Sequence, residues 1–115
     1  SIRRILETRL KMAGYNVVTA EDGEEAVELF NKTNPDIVIL DVMMPKMDGY
    51  TFASEVRKYN KFRNLPLIAV TSRSSKTDRM RGVESGMTEY ITKPYTPEYL
   101  VNVVKRNINL VTDGE

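Results

Sequence analysis

Three polar residues follow short apolar runs in this chain. Asp41 comes after Ile37-Val38-Ile39-Leu40, Thr71 after Leu67-Ile68-Ala69-Val70, and Lys93 just after Tyr90-Ile91 and before Pro94. Any one of them alone is explained well enough as the cap of a strand. Together, at equivalent strand exits, a carboxylate, a hydroxyl and an ammonium share one edge of a sheet, where ligands of open parallel sheets bind. The chemistry such a trio supports is phosphoryl transfer onto a carboxylate. Asp41 is the candidate nucleophile, forming an acyl phosphate. Thr71 is placed to hydrogen-bond a phosphoryl oxygen, and Lys93 to neutralise developing charge as a point cation. Transfer of this kind is mostly positioning and electrostatics, usually with Mg²⁺. Magnesium takes oxygen ligands and keeps several waters; Asp41 offers one oxygen and the backbone carbonyl of Met43 a second.

The elements that must hold these groups are read from periodicity. Ile2, Ile5, Leu6, Leu10 and Ala13 form one helical stripe, closed by Gly14, where a left-handed cap is cheap. Val17-Val18-Thr19-Ala20 reads as a strand. Asp22, three residues before Glu25, opens a helix through Ala26, Val27, Leu29 and Phe30, which Asn34-Pro35 breaks. The run 37–40 is apolar on consecutive positions, as in a parallel strand covered on both faces. After the loop 43–47 a helix carries Phe52, Ala53, Val56 and Tyr59, and Pro66 introduces the next strand, 67–70. Residues 74–85 read as a helix with few apolar anchors, Met80 and Val83, ended by Gly86. Tyr90-Ile91 marks a short last strand. Thr96-Pro97 starts a final helix that buries Leu100, Val101, Val103, Val104 and Ile108. Alternation at this spacing predicts an α/β fold with a doubly wound parallel sheet. Such folds usually open on a strand, whereas this pattern opens on a helix.

Composition narrows the chemistry further. The 115 residues carry 17 basic and 16 acidic side chains, a net charge of +1, so nucleic acid and membrane surfaces find no broad electrostatic attraction. With no cysteine and no histidine, disulfides, thiolate or imidazole metal sites, a cysteine nucleophile and a Ser-His triad are all excluded. The lack of cysteine suits a reducing, cytoplasmic setting. No apolar run reaches the roughly 20 residues of a membrane span, and no leader pattern opens the chain. Length and continuity predict one domain over residues 1–115.

The stretches Asp41-Val42-Met43-Met44-Pro45-Lys46-Met47-Asp48-Gly49, Val70-Thr71-Ser72 and Tyr90-Ile91-Thr92-Lys93-Pro94-Tyr95-Thr96 resemble the receiver domain of two-component response regulators. The likeness covers essentially the whole chain, including Ala20-Glu21-Asp22-Gly23, and the joint order and spacing are very specific. It implies a flavodoxin-like topology, with Asp41 as phosphoacceptor, Thr71 as switch hydroxyl, Lys93 as active-site lysine and Tyr90 as switch aromatic. It also implies a metal-ligating carbonyl at Met43 and a cis peptide before Pro94. A histidine kinase is the implied donor. The implied output surface is the face of the family's fourth helix, fifth strand and fifth helix, here residues 74–85, Tyr90-Ile91 and the helix from Pro97.

The departure lies at the N-terminus. Receivers open on an apolar strand ending in an acidic pair that completes the Mg²⁺ site, whereas Ser1-Ile2-Arg3-Arg4 resembles the start of the helix after that pair. That strand is interior, between 17–20 and 37–40, and its removal leaves a gap of roughly 10 Å, two strand spacings. The sequence is thus expected to be an N-terminally incomplete receiver with an incomplete metal site, or else to exchange elements with a second copy or rearrange its sheet. Glu21 and Asp22 read as helix-capping residues rather than as replacements for the missing acids. The basic residues Arg73, Lys76, Arg79 and Arg81 read as a solvated helix face, with a partner surface as the alternative. Met43, Met44 and Met47 read as packing, while Tyr95 and Tyr99 suit a role in shaping the output face and ordinary packing equally.

Other functions fit less well. A pseudo-receiver that binds partners without phosphorylation accords with the absent acids but not with intact Asp41, Thr71 and Lys93. A haloacid-dehalogenase-type phosphatase needs an acid two residues after the nucleophile, where Met43 stands. A flavodoxin needs a Ser/Thr/Gly-rich phosphate loop, and the sequence has none. Because the last helix is followed by no DNA-binding module, a stand-alone regulator and a receiver excised from a hybrid kinase read alike.

Overall fold

A computed structural model describes residues 2–113. Five helices, α1 (Ile2–Met12), α2 (Gly23–Thr33), α3 (Gly49–Val56), α4 (Lys76–Ser85) and α5 (Pro97–Asp113), alternate with three strands, β1 (Val38–Asp41), β2 (Leu67–Thr71) and β3 (Glu89–Thr92). A 3₁₀ turn, Asn60–Phe62, lies before β2. The strands form one parallel sheet in the order β1-β2-β3. Central β2 is buried at every position, so its alternation serves two cores. Ile68 and Val70 pack with Leu6 and Leu10 of α1 and with Leu100, Val103 and Val104 of α5. Leu67 turns the other way, to Leu40, Phe52, Ala53 and Val56 with Phe30 of α2 at their edge. The result is a three-layer α/β/α sandwich, in which fully burying each such side chain contributes about 1.5–3 kcal/mol.

Local signals act where they were read. Gly14 and Gly86 adopt the left-handed conformation, each at φ +98°, and Gly86 caps α4. Asn34 does the same for α2 at φ +50°. Asp22 accepts from Glu25 N at 2.9 Å, while Glu21 N donates back to Glu25 Oε2 at 3.4 Å, a reciprocal capping pair. Thr96 Oγ1 accepts from Tyr99 N at the start of α5. The Lys93–Pro94 peptide is cis.

Three expectations are corrected. Residues 17–20 form no strand, although Val17 rests on the α1–α5 core. A strand is made by its neighbour's hydrogen bonds, and among the described residues no ladder reaches this segment. Met80 and Val83 are not anchors of α4, for both face solvent, at 54% and 76% exposure. The buried face of α4 is instead Gly82 and Ser85, small residues that let the helix lie close. Tyr59 falls outside α3 and is exposed, as are Ile5 on α1 and Ala13 just past its end. On α5, Leu100, Val103 and Val104 are buried, while Val101 and Ile108 are partly covered at the rim of the core. The Ile2 side chain lies outside the described residues.

Candidate functional site

Parallel pairing brings the three candidate residues to one edge. Asp41 is paired with Val70 and Thr71 with Thr92, so all three strands end at about the same height. Past the ladder, Lys93 N donates to Thr71 O at 2.8 Å, which carries the lysine one residue beyond its strand with its position fixed. Lys93 Nζ then reaches Asp41 Oδ2 at 2.8 Å. Both side chains are somewhat over a third exposed, and at that exposure an ion pair contributes at most about 1 kcal/mol to stability. Its value lies in pointing the ammonium at the carboxylate. Oδ1 of Asp41 accepts from Met43 N at 2.9 Å, so both oxygens are oriented. Thr71 is fully buried, and its Oγ1 accepts from Arg73 N at 3.1 Å. Among the described residues nothing takes the Thr71 hydroxyl proton, which leaves it as a donor toward the site.

The loop 42–48 is clamped from both sides. Gly49 N donates to Val42 O at 3.1 Å, and a Cβ on Gly49 would stand 2.8 Å from Val42 Cα. Gly23 at the start of α2 donates to Pro45 O, and a Cβ there would stand 2.4 Å from Met47 Cβ. Lys46, itself left-handed at φ +70°, lies 3.5 Å from both Asp22 and Glu24. Those acids raise the lysine's pKa, while the Glu25 backbone N–H first, and then Lys46, hold Asp22 below the ordinary carboxylate range. Asp22 is therefore engaged in capping α2, as its sequence position indicated, and in anchoring the loop. Met44 and Met47 pack against the α2–α3 core, whereas Met43 is exposed, with its sulfur 2.9 Å from Arg73 Nε.

Tyr90 of β3 is half-buried, with its ring over Gly82, where a Cβ would stand 2.7 Å from the ring. Its hydroxyl donates to Arg73 O at 3.0 Å and shares a 2.9 Å hydrogen bond with the hydroxyl of Tyr50. Burial, then the Tyr50 contact, pushes the Tyr90 phenol far above its ordinary pKa. Burial likewise raises Tyr95, which packs on the α1–α5 core, while Tyr99 is half-exposed. Arg79 lies 5.5 Å from the Tyr90 ring, Arg73 is 3.8 Å from Asp78, and Arg81 is 3.9 Å from Asp48. Together with Tyr95 and Tyr99, Arg79 and Tyr90 line an open groove between α4 and α5.

Sequence reading passed over Tyr50 and Arg57. Arg57 sits just past α3, and its Nε and Nη2 donate to Gly86 O at 3.0 and 2.9 Å, while Nη1 donates to Phe62 O. Burial lowers its pKa from the ordinary arginine value, though a guanidinium stays charged. Gly82, a glycine inside a helix, costs about 1 kcal/mol against alanine and so calls for a packing reason, which here is the Tyr90 ring rather than Tyr50 or Arg57.

A magnesium site tests poorly against these residues. Among the described residues no group of three His, Cys, Asp or Glu side chains can hold a metal. Asp41 and the Met43 carbonyl do not make such a site by themselves.

A sheet whose strand ends present an aspartate, a buried hydroxyl and a lysine before a cis proline defines a class, the flavodoxin-like receiver. Residues 1–105 match the response regulator receiver domain, and the chain belongs to that family. It is 63% identical over 113 residues to the sensor histidine kinase CheAY of Helicobacter pylori, covering 96% of this chain and 14% of that protein. It spans under half the length of the probable transcriptional regulators it also matches. The chemotaxis protein CheY4 of Vibrio cholerae superposes with a TM-score of 0.83 at 35% identity, over 91% of this chain and 88% of that one. The receiver domain of the sensor histidine kinase PA1611 of Pseudomonas aeruginosa, solved with a magnesium ion coordinated in its active-site cleft, gives 0.81 at 30% identity, over 93% and 88%. The chain is thus a receiver domain of two-component signalling. No described helix is long and apolar enough to cross a membrane.

Proposed function

We propose that residues 1–115 form one cytoplasmic receiver that takes a phosphoryl group from a histidine kinase onto Asp41. The observation that carries this reading is the 2.8 Å contact between Lys93 Nζ and Asp41 Oδ2 at the strand ends. An Asp41 oxygen attacks phosphorus as the N–P bond of the phosphohistidine breaks, and the imidazole leaves with the electron pair and takes up a proton. Lys93 then faces phosphoryl oxygens rather than the carboxylate, and Thr71 donates its free proton to one of them. Hydrolysis of the acyl phosphate resets the switch, so the domain promotes both steps of its own cycle. Magnesium, with Asp41 and the Met43 carbonyl as this chain's contribution, is the expected cofactor; since these residues alone do not hold it, no step is assigned to it.

The new charge biases a two-state equilibrium that Tyr90 and the α4–β3–α5 face report to a downstream protein. No nucleic acid or membrane partner is proposed for this domain, and pairing or element exchange with a second copy is an alternative assembly. A phosphorylation-independent binding role is disfavoured by the intact trio. The test is intact-mass analysis after incubation with acetyl phosphate and Mg²⁺, beside Asp41→Asn. A phosphoryl adduct on the native protein and none on the variant is expected. A folded protein with no adduct, or an adduct that survives in the variant, overturns the reading.

A further inference from the structure

Helix α4 is held differently at its two ends. Its C-terminal end is fixed by Arg57 on the carbonyl of Gly86. Its first turn has few such fastenings beyond its own cap, in which Ser75 Oγ accepts from Asp78 N. The connection from the rest of the fold comes through Tyr50. This residue follows Gly49, whose N–H is bonded to Val42 O one residue after Asp41, and its ring is buried with Val42 and Ala69 at 5% exposure. The Tyr50 hydroxyl emerges beneath α4, 2.9 Å from Tyr90 Oη and 3.3 Å from Asp78 O. As Tyr90 gives its proton to Arg73 O, the one Tyr50 proton is shared between Tyr90 Oη and Asp78 O. Two tyrosines from α3 and β3 therefore hold two backbone carbonyls, those of Arg73 and Asp78, at either side of the start of α4.

We infer that Tyr50 is a positioning residue of the switch, whose hydroxyl keeps Tyr90 seated on Gly82 and fixes the first turn of α4. The role rests on the reading of Tyr90 as the switch aromatic. A phenylalanine at position 50 keeps the buried ring, the packing on Val42 and the Arg81 guanidinium 4.4 Å above it. Tyr50→Phe therefore removes the hydrogen bond and little else.

The test is hydrogen exchange on the full-length protein without any phosphoryl donor, so its result is independent of whether Asp41 accepts phosphate. Loss of one such hydrogen bond corresponds to an acceleration of about five- to tenfold in opening. That acceleration is expected in Tyr50→Phe for amides 73–79, with amides 86–88, next to the Arg57 clamp, unchanged. Tyr90→Phe should accelerate the same amides, and the double variant should accelerate them by less than the product of the two single effects, because the two hydroxyls share one hydrogen bond. Gly82→Ala, whose Cβ displaces the Tyr90 ring, should reproduce the effect with both hydroxyls present. Unchanged exchange at 73–79 in Tyr50→Phe overturns the inference. So does acceleration spread evenly over the domain, or full additivity of the two hydroxyl deletions, since either outcome makes Tyr50 a general packing residue.

Discussion

Replacing Arg57 by alanine should be the most costly single change outside the hydrophobic core. Its guanidinium makes two good hydrogen bonds to Gly86 O, one to Phe62 O, and weaker ones to Arg63 O at 3.3 Å and Thr88 Oγ1 at 3.4 Å. The two principal acceptors are partly buried, and bonds from a charged donor contribute about 1.5–3 kcal/mol each. Against this stand the entropy of ordering a long side chain, about 2 kcal/mol, and some access of water to the vacated carbonyls. A net loss of about 2–3 kcal/mol follows. With a urea slope of about 1.5 kcal/mol/M for a domain of this size, the midpoint falls by about 1.3–2 M. Arg57→Met separates stem from fork: methionine retains the packing of the stem against Gly86, where Arg57 Cγ closes on the glycine, but donates nothing. It should lose nearly as much as alanine. A midpoint within about 0.3 M of the native protein for Arg57→Met would refute the reasoning, because it would leave packing alone as the source of the clamp.

Three further outcomes are expected. Lys93→Met should change stability by less than about 1 kcal/mol, its ion pair being over a third exposed, yet sharply slow adduct formation from acetyl phosphate measured by intact mass. Asp22 has a folded pKa below its unfolded one, so its cap stabilises above the unfolded value and is lost as pH falls through the folded value; the stability gap between native protein and Asp22→Ala, read by urea titration, should be wide at pH 7 and close as pH falls below the ordinary carboxylate range. Tyr90 has the opposite sense: its raised folded pKa gives a contribution that is complete below the unfolded value near 10 and lost at higher pH. Alkaline absorbance titration should show Tyr90 ionising only as the fold is lost, and Tyr90→Phe should remove the latest-titrating phenol.

How far the sequence revealed the molecule depends on whether a feature is local. Asp41, Thr71 and Lys93 were legible because each follows directly on its own strand, and parallel pairing converts that position in sequence into a position in space. Caps at Asp22, Asn34, Gly86 and Thr96 were legible because the bond closes within a few residues. Val17-Val18-Thr19-Ala20 has every local property of a strand and is none, since a ladder is the property of a pair. Met80 and Val83 misled because a nearly polar helix has no stripe to read, and Gly82 and Ser85 bury themselves by being small. The bonds of Arg57 to Gly86 and Tyr50 to Tyr90 span 29 and 40 residues, beyond any spacing rule.

The hydrogen bond from Lys93 N to Thr71 O has a wider implication. The hydroxyl and the ammonium are spaced by one backbone hydrogen bond between neighbouring strands, not by how well the core fills. Substitutions in the two hydrophobic layers can tilt or shift β2 and β3, but they carry both groups along as a rigid couple. Asp41, on the other side of β2, is registered to the same strand through its pairing with Val70. Drift in core composition can thus alter how tightly the domain folds while leaving the spacing of Asp41, Thr71 and Lys93 intact. A graft of the site into another parallel sheet should accordingly transfer the three strand ends as one unit, with the loop 42–48 and its anchors on Gly23 and Gly49, rather than as three side chains.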